Sequence, residues 1–193
     1  MTPAEAARFI VEHCAPLPTE RRPLRAALDL VLAEDVTSPI DLPPWDNSAM
    51  DGYALRSADV AAGVTLAVIE TVPAGGVPRR PLGPGQATRI FTGAPLPEGA
   101  DGVIRQEDTE APDETRVTIR NPRDAGKNLR RRGEDIARGA TVLAAGTQLG
   151  PAQLGVLASI AHAEPLVTPA PKVAFLGSGD EIVDLDRCDE ILA

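Results

Sequence analysis

Apolar residues recur at helical spacing in three segments of the chain, which predicts three helices. The first begins at Thr2-Pro3-Ala4-Glu5, where a threonine N-cap, a proline in the first turn and a glutamate three residues after the cap are typical of a helix start. The other two follow Pro23 and Pro151. The apolar stripes, in chain order, are Ala7, Ile10, Val11 and Cys14; Leu24, Leu28, Val31 and Leu32; and Leu154, Leu157, Ala158 and Ala161. We expect the first two stripes to pack against each other or against a partner subunit.

Between the second and third predicted helices, the pattern changes to short runs of β-favouring residues. The runs cover residues 65–72, 86–92, 102–106 and 116–119, and segments rich in glycine, proline and aspartate separate them. Strands this short need several neighbours to bury an apolar face. The pattern therefore predicts a small antiparallel β domain, a sandwich or a barrel, inserted between two helical segments.

The predicted fold class is α+β. A discontinuous helix-containing scaffold or dimerisation domain is expected over residues 1–45 and 130–170, with the inserted β domain over 46–129. Residues 172–176 are apolar and run into Gly-Ser-Gly-Asp-Glu, a pattern typical of the first strand of an α/β domain and its glycine-rich turn. We expect residues 171–193 to begin such a domain without completing it, so that the strand at 172–176 is left unpaired.

Composition excludes several classes of function. With 193 residues, of which 43% are hydrophobic and 24% charged, the chain is expected to fold around a sizeable core. It contains neither an apolar run near the ~18 residues of a membrane span nor a signal peptide, so we expect a cytoplasmic protein without a membrane partner. A formal charge of -9 argues against a nucleic-acid partner. Cys14 and Cys188 lack the spacing of zinc ligands and are expected to be reduced thiols.

Candidate chemistry is concentrated in residues 41–55, DLPPWDNSAMDGYAL, which contain three aspartates and the chain's only tryptophan and tyrosine. In one interpretation this is a hinge, in which Asp46, Asn47 or Ser48 caps a turn next to the two prolines. In the other, the same oxygens bind a hard cation or handle an oxyanion, and Gly52 lets the backbone approach closely. Mg²⁺ suits such a loop, because it is usually bound by one or two carboxylates together with substrate phosphates.

Arg130, Arg131 and Arg132 are adjacent and are followed by Glu134 and Asp135. Adjacent side chains point in different directions in a helix or a strand, so the three arginines cannot all face one ligand. They form either a solvated surface patch, partly paired with the two carboxylates, or a contact for an oxyanion or phosphate. Their sequence is compatible with both.

Four motifs follow one another in the chain: DLPPWDNSAMDGYAL, RIFTGAPLPEGADGVIRQE, AGKNLRRRGEDIARGATVLAAGT and VAFLGSGDE. Together they resemble the molybdopterin molybdenumtransferases of molybdenum-cofactor synthesis, which are related to the E domain of gephyrin. The resemblance implies an elongated homodimer that takes adenylylated molybdopterin and molybdate, inserts the metal at the dithiolene and releases AMP in a Mg²⁺-dependent step.

By position in these motifs, the resemblance implies that Asp51, Thr92 and Glu181 belong to the molybdate and cofactor site. Asp51 is expected to hold Mg²⁺ or to orient the water shell of an oxyanion. Thr92, together with the N–H of Gly93, is expected to donate to an oxyanion or phosphate, and Glu181 to contact the pterin or the metal. The structural alternatives are strand-end capping for Thr92 and a first-turn helix position for Glu181. The remaining candidate ligand-binding residues are Asp46, Asn47, Ser48, Gly93, Arg130, Arg131, Arg132 and Asp180.

The resemblance also implies that this chain carries only one wall of the active site, because the rest belongs to an α/β domain. We therefore expect residues 1–193 alone to be inactive or nearly so; the alternative is a non-catalytic dimerisation or scaffold module. One departure from the family lies in the second predicted helix, where Asp29-Leu30 replaces the more frequent Gly-Arg. We expect this to be a tolerated surface change.

Overall fold

A computed structural model describes residues 1–174, 176, 177 and 179. Over these residues the α-helices are α1 (Pro3–His13) and α2 (Pro151–Ser159), and short 3₁₀ turns cover Leu24–Ala26, Ser57–Asp59 and Gln106–Asp108. The strands are β1 (Glu20–Arg21), β2 (Val31–Leu32), β3 (Val36–Thr37), β4 (Asn47–Ser48), β5 (Gly52–Leu55), β6 (Thr65–Val72), β7 (Gln86–Ile90), β8 (Gly102–Arg105), β9 (Thr109–Asp113), β10 (Arg116–Ile119), β11 (Leu129–Arg130), β12 (Thr141–Leu143) and β13 (Leu166–Thr168). The α+β class is confirmed.

Helix α1 begins as its sequence predicts. The Thr2 hydroxyl accepts the Glu5 N–H at 3.3 Å, and the Glu5 carboxylate accepts the Thr2 N–H at 2.7 Å, which completes a capping box. No residue of the helix is buried: Phe9 is 54%, Ile10 60% and Val11 74% exposed. Its apolar residues thus lack a core to pack against within the described chain.

The prediction of a second helix, after Pro23, is wrong. Only Leu24–Ala26 form a 3₁₀ turn, and β2 follows instead of further helical turns. One backbone conformation and one contact explain the change: Asp29 adopts a left-handed backbone with φ 64°, and the Leu32 N–H donates to Thr147 O at 2.8 Å. Because a left-handed residue ends a helix, the helical pattern cannot continue through Asp29.

The first sheet joins the two ends of the described chain. Its order is β1-β13-β2, and both pairings are antiparallel. Helix α2, which starts at Pro151 as predicted, buries Leu157 against it. The buried core there consists of Ala27, Leu32, Val36, Leu149, Leu157, Ile160 and Val167.

The second sheet contains the predicted β-favouring runs. Across the described residues it has six strands, in the order β8-β5-β7-β6-β10-β9. The runs at 65–72 and 116–119 have the predicted bounds, whereas β7 ends at Ile90 and β8 at Arg105. One expectation is wrong: β6 and β7 pair in parallel, because the long connection after β6 crosses back before β7 begins. The sheet is therefore mixed rather than antiparallel.

The predicted domain boundaries near residues 46 and 130 stay a prediction, since β4 and β11 pair with each other at both of them. Residues 172–174 and 176 carry no strand assignment. The remainder of the predicted strand and turn lies outside the described residues, together with Asp180 and Glu181. Within the described part of the chain, no helix is both long and apolar enough to cross a bilayer.

Candidate functional site

Three of the four sequence motifs meet at β4. On one side, Ser48 pairs with Leu129 of β11. On the other side, the Ser48 N–H donates to Ala94 O at 3.0 Å, and the Gly93 N–H donates to Ser48 O at 2.8 Å. Strand β4 thereby lies between the turn that follows β7 and the arginine-rich segment. Residues that are about 45 and about 80 positions apart in sequence become neighbours.

Asp51 and Thr92 are in direct contact. One carboxylate oxygen of Asp51, Oδ1, accepts the Thr92 N–H at 2.8 Å and the Thr92 hydroxyl at 2.7 Å. Asp51 is half-buried and Thr92 is exposed. Among the described residues, no hydrogen bond engages the second oxygen, Oδ2. The pair thus leaves one carboxylate oxygen available for a ligand.

The contact also determines the charge of Asp51. The Thr92 N–H and then the Thr92 hydroxyl hold the pKa of the Asp51 carboxyl below its ordinary value, with a smaller contribution from the charge of Arg89. Asp51 is therefore ionised at neutral pH. An ionised carboxylate repels an oxyanion unless a cation or a water molecule lies between them. This arrangement favours a cation-binding role for Asp51 over direct contact with an oxyanion.

Thr92 and Gly93 are less available as anion donors than their motif suggests. A threonine hydroxyl has one proton, and Thr92 donates it to Asp51. The Gly93 N–H is bound to Ser48 O, and Gly93 adopts φ 84°, a conformation that favours glycine. In this structure both donors hold the site together instead of pointing at a ligand.

Asn47 and Ser48 are buried, with 4% and 0% exposure. The Ser48 hydroxyl donates to Met50 O and the Asn47 amide donates to Trp45 O, so both side chains shape the turn before Asp51. This is the arrangement expected from the turn interpretation of residues 41–55. The Asn47 Oδ1 atom is buried without a partner in the described chain. Neither side chain is exposed to a ligand in this structure.

Asp46 pairs with the arginine-rich segment. Its carboxylate accepts Arg131 Nη1 at 2.7 Å and the Arg132 N–H at 2.8 Å. Asp41 likewise accepts Arg132 Nε at 2.6 Å and the Arg138 N–H at 2.8 Å. The backbone N–H bonds, first in each case, and then the arginine side chains lower the pKa values of both aspartates. We call residues 41–48 together with 129–138 the clasp.

The three adjacent arginines all have carboxylate partners. Arg130 pairs with Glu134 at 3.2 Å and with Asp135, which matches the surface interpretation of the sequence. The pairing of Arg131 and Arg132 with Asp46 and Asp41 was missed, because eighty to ninety residues separate the partners. The sequence contains no local signal for contacts at that distance.

Sequence analysis also missed Arg89 and Gln106, which lie beside Asp51. The Gln106 N–H donates to Asp51 O at 3.0 Å, and Arg89 Nη2 donates to Gln106 Oε1 at 2.6 Å. Arg89, Tyr53 and Phe91 also line a cleft of about 770 Å³ that extends to the β9–β10 hairpin. The only available signal was that Arg89 and Gln106 lie near the two ends of one family motif.

The site fits Mg²⁺ only in part. Within the described residues, no group of three or more His, Cys, Asp or Glu side chains is arranged to hold a metal ion. Asp51 offers a single carboxylate with one oxygen available. That donor set suits Mg²⁺ that takes its other ligands from water and from substrate phosphates, as Mg²⁺ commonly does.

Comparison with known proteins identifies the family. The family profile described as MoeA N-terminal region (domain I and II) matches residues 1–161. The chain belongs to this family. This MoeA N-terminal region is 40% identical over 172 residues to the molybdopterin molybdenumtransferase of Haemophilus influenzae, and 42% identical over 178 residues to molybdopterin molybdenumtransferase 2 of Mycobacterium tuberculosis. The resemblance that the four motifs carry is thereby confirmed.

The alignments cover 89% and 90% of the chain but 43% of each of these two relatives. The chain thus spans less than half the length of the curated relatives it matches. The crystal structure of the molybdopterin biosynthesis MoeA protein from Pyrococcus horikoshii OT3 superposes with a TM-score of 0.78 at 36% identity, over 86% of this chain and 45% of that one. The MoeA fold is therefore shared over most of the described residues.

Proposed function

We propose that this chain forms one wall of the active site of a molybdopterin molybdenumtransferase. The reaction is the insertion of molybdenum from molybdate into adenylylated molybdopterin, with release of AMP. Membership of the MoeA family and relatives of that name support the proposal. The observation that carries it is the contact between Asp51 and Thr92, since it joins two motif residues and leaves an ionised, half-buried carboxylate with one free oxygen.

In this proposal, the free oxygen of Asp51 contributes one ligand to Mg²⁺, which is held otherwise by water and substrate phosphate oxygens. Bound Mg²⁺ supplies charge neutralisation at the phosphate from which AMP departs. Thr92 orients the carboxylate, because its N–H and hydroxyl both bind Oδ1 and leave Oδ2 for the cation. The proposal also includes a contact of Glu181 with the pterin or the metal, and a contact of Asp180 with the substrate.

The other predicted ligand-binding residues receive a supporting role. Arg130, Arg131 and Arg132 pair with carboxylates of the chain itself, so they hold the clasp closed beside the site. Asn47 and Ser48 shape the turn that leads to Asp51. The arrangement thus positions one metal-binding carboxylate and leaves the contacts to phosphate and pterin to other parts of the protein.

The assembly we propose is a homodimer in which α1 packs on a second copy of the chain. Support comes from the exposed apolar side chains of Phe9, Ile10 and Val11 on a helix that is capped at its start and has no buried residue. Leu17, four residues after the end of α1, is also exposed. A helix with an uncovered apolar face is stabilised chiefly when a partner covers it.

The deciding experiment measures AMP release from adenylylated molybdopterin, with molybdate and Mg²⁺, in the full-length protein that contains this chain. We expect Asp51→Asn to lower turnover by at least about 100-fold, because a metal ligand contributes several kcal/mol to the transition state. Glu110→Gln, on the β9–β10 hairpin, is the control and should leave turnover unchanged. Wild-type turnover in Asp51→Asn would refute the proposal, and wild-type turnover by residues 1–193 alone would refute the one-wall assignment.

A further inference from the structure

Arg89 donates hydrogen bonds to two residues that adjoin Asp51, namely Gly52 and Gln106. It lies on β7, directly opposite Tyr53 of β5. Its Nη1 donates to Gly52 O at 3.0 Å, and its Nη2 donates to Gln106 Oε1 at 2.6 Å. Gly52 follows Asp51 in the chain, and the Gln106 N–H donates to Asp51 O at 3.0 Å. Arg89 thus binds the carbonyl of the residue after Asp51 directly, and it binds the side chain of the residue whose backbone N–H holds the Asp51 carbonyl.

The same guanidinium also contacts the residue that precedes Thr92. Its central carbon lies 4.8 Å from the ring centroid of Phe91 and 5.0 Å from that of Tyr53, within cation–π range of both. Phe91 is followed directly by Thr92, whose N–H and hydroxyl bind Asp51. Arg89 therefore touches the chain on both sides of the Asp51–Thr92 contact.

The side-chain contacts of Arg89 are not needed to pair strands β5 and β7. Strands β5 and β7 already pair over four registered positions, from Gly52 opposite Ile90 to Leu55 opposite Ala87. The Arg89 side chain is thus free for another task than joining the strands. An arginine suits that task, since its planar fork binds two acceptors at once while its face lies on an aromatic ring, which a lysine ammonium cannot reproduce.

We propose that Arg89 is a positioning residue that holds Asp51 and Thr92 in the geometry needed to bind the metal ion and turn over substrate. This inference rests on the proposed function. It assigns Arg89 no contact with substrate: its effect passes through Gly52, Gln106 and Phe91. Misplacement of a catalytic group by about 1 Å costs roughly 100-fold in rate, so the effect of losing Arg89 should be measurable.

The test uses Arg89→Met and Arg89→Lys in the full-length protein. We expect both to lower kcat by roughly 10- to 100-fold with KM nearly unchanged, because the misplaced pair loses turnover rather than ground-state binding. Arg89→Lys keeps the charge and loses the fork, so it should be as impaired as Arg89→Met. Arg120→Met removes an exposed arginine that pairs with Glu110, and serves as the matched control with wild-type turnover.

A second readout does not depend on turnover. The carbon-13 shift of the Asp51 carboxyl, followed against pH, should show its pKa moving up towards the ordinary value in both Arg89 variants. In Arg89→Met the lost charge contributes to the rise, whereas in Arg89→Lys the charge is kept and the rise reports the loosened bonds from Thr92. Gln106→Ala removes one acceptor and keeps Arg89, and should give a smaller change in the same direction. If Arg89→Met does not fold, Arg89→Lys and Gln106→Ala decide the question.

Wild-type kcat together with an unchanged Asp51 titration in Arg89→Lys would overturn the inference, because charge alone would then account for the effect of Arg89. If Asp51→Asn is inactive while both Arg89 variants turn over normally, the inference fails and the proposed function stands. If Asp51→Asn retains wild-type turnover, the proposed function fails, whatever the Arg89 variants do. The two failures are therefore distinguishable.

Discussion

Gly52 determines where Asp51 lies. A Cβ atom at this position would come within 2.0 Å of the backbone oxygen of Ile104 on the neighbouring strand β8. A backbone atom cannot move aside as a flexible side chain can, so β5 and β8 would have to separate. Because Asp51 directly precedes Gly52, any such separation disturbs the position of its carboxylate relative to Thr92.

We therefore expect Gly52→Ala to lower the free energy of unfolding by about 1–3 kcal/mol, the usual cost of overpacking a buried site. Gly155→Ala is the matched control: nothing lies within 4 Å of its added Cβ, and alanine is favoured over glycine within a helix such as α2. Urea unfolding of the two variants measures the difference. Equal stability of Gly52→Ala and wild type would contradict the close packing of β5 on β8.

The hydroxyl of Thr92 should control the pKa of Asp51. In Thr92→Val the backbone bond remains and the hydroxyl bond is lost, so the Asp51 pKa should rise towards the ordinary value of about 3.9. A carboxylate whose pKa is lowered by folding stabilises the fold above its unfolded pKa and loses that contribution as the pH falls through the folded pKa. The stability difference between wild type and Thr92→Val should accordingly be present at pH 7 and disappear in acid.

Carbon-13 titration of the Asp51 carboxyl together with unfolding at several pH values tests this. Thr92→Ser retains a hydroxyl and should titrate like wild type. An Asp51 pKa that is identical in Thr92→Val and wild type would mean that the hydroxyl bond contributes nothing to the site.

At the scale of elements, the clasp is held by side chains as much as by strands. Strands β4 and β11 share only two paired positions, too few for a stable two-stranded sheet by themselves. Beyond them, the Gly133 N–H donates to Pro43 O at 2.9 Å and the Ile136 N–H donates to Leu42 O at 3.0 Å. Asp41 and Asp46 supplement these bonds through the arginines, so the arginine-rich segment is better understood as structural support.

In the double variant Asp41→Asn, Asp46→Asn, we expect the amides of Gly133 and Ile136 to exchange with solvent faster, by no more than about tenfold, because exposed ion pairs contribute little. The amide of Ala54, inside the six-stranded sheet, is the internal control. Folding lowers the pKa values of Asp41 and Asp46, so their contribution to stability is lost as the pH falls through those values. The protection of the Gly133 and Ile136 amides in wild type should therefore fall towards that in the variant as the pH decreases. Hydrogen exchange unchanged at Gly133 would show that the backbone alone holds the clasp.

At the scale of the whole molecule, the described chain contains separate buried clusters. One surrounds Leu157 and Val167, and the others lie on the two faces of the six-stranded sheet around Ile104 and Ile90. Helix α1 contributes a buried residue to none of them. The remaining uncovered apolar surface on this helix is what the proposed dimer would bury.

Ile10→Asp should therefore shift the protein from dimer to monomer, because a charge at the centre of an apolar contact is costly to bury. Size-exclusion chromatography with light scattering measures the mass. Arg8→Glu changes the charge on the opposite side of α1 and should leave the dimer intact. A dimer that persists in Ile10→Asp would place the interface elsewhere on the chain.

Local pattern determined those elements whose signals are complete within a few residues. The capping box of α1, the start of α2 at Pro151 and the runs of β6 and β10 depend on neighbouring side chains and on periodicity, and each was predicted. The four motifs together determined the family, because their order and length are specific. Asp51 and Thr92 were candidates for the same reason.

Only the tertiary structure decided which groups pair. It replaced a helix at Val31–Leu32 with a strand, because backbone partners near Thr147 and Val167 outweigh a local apolar stripe. It bound Arg131 and Arg132 to Asp46 and Asp41, and it brought Arg89 beside Asp51. The physical reason is common to all three: hydrogen bonds and ion pairs act over a few ångströms, and sequence separation says little about which groups folding will bring that close.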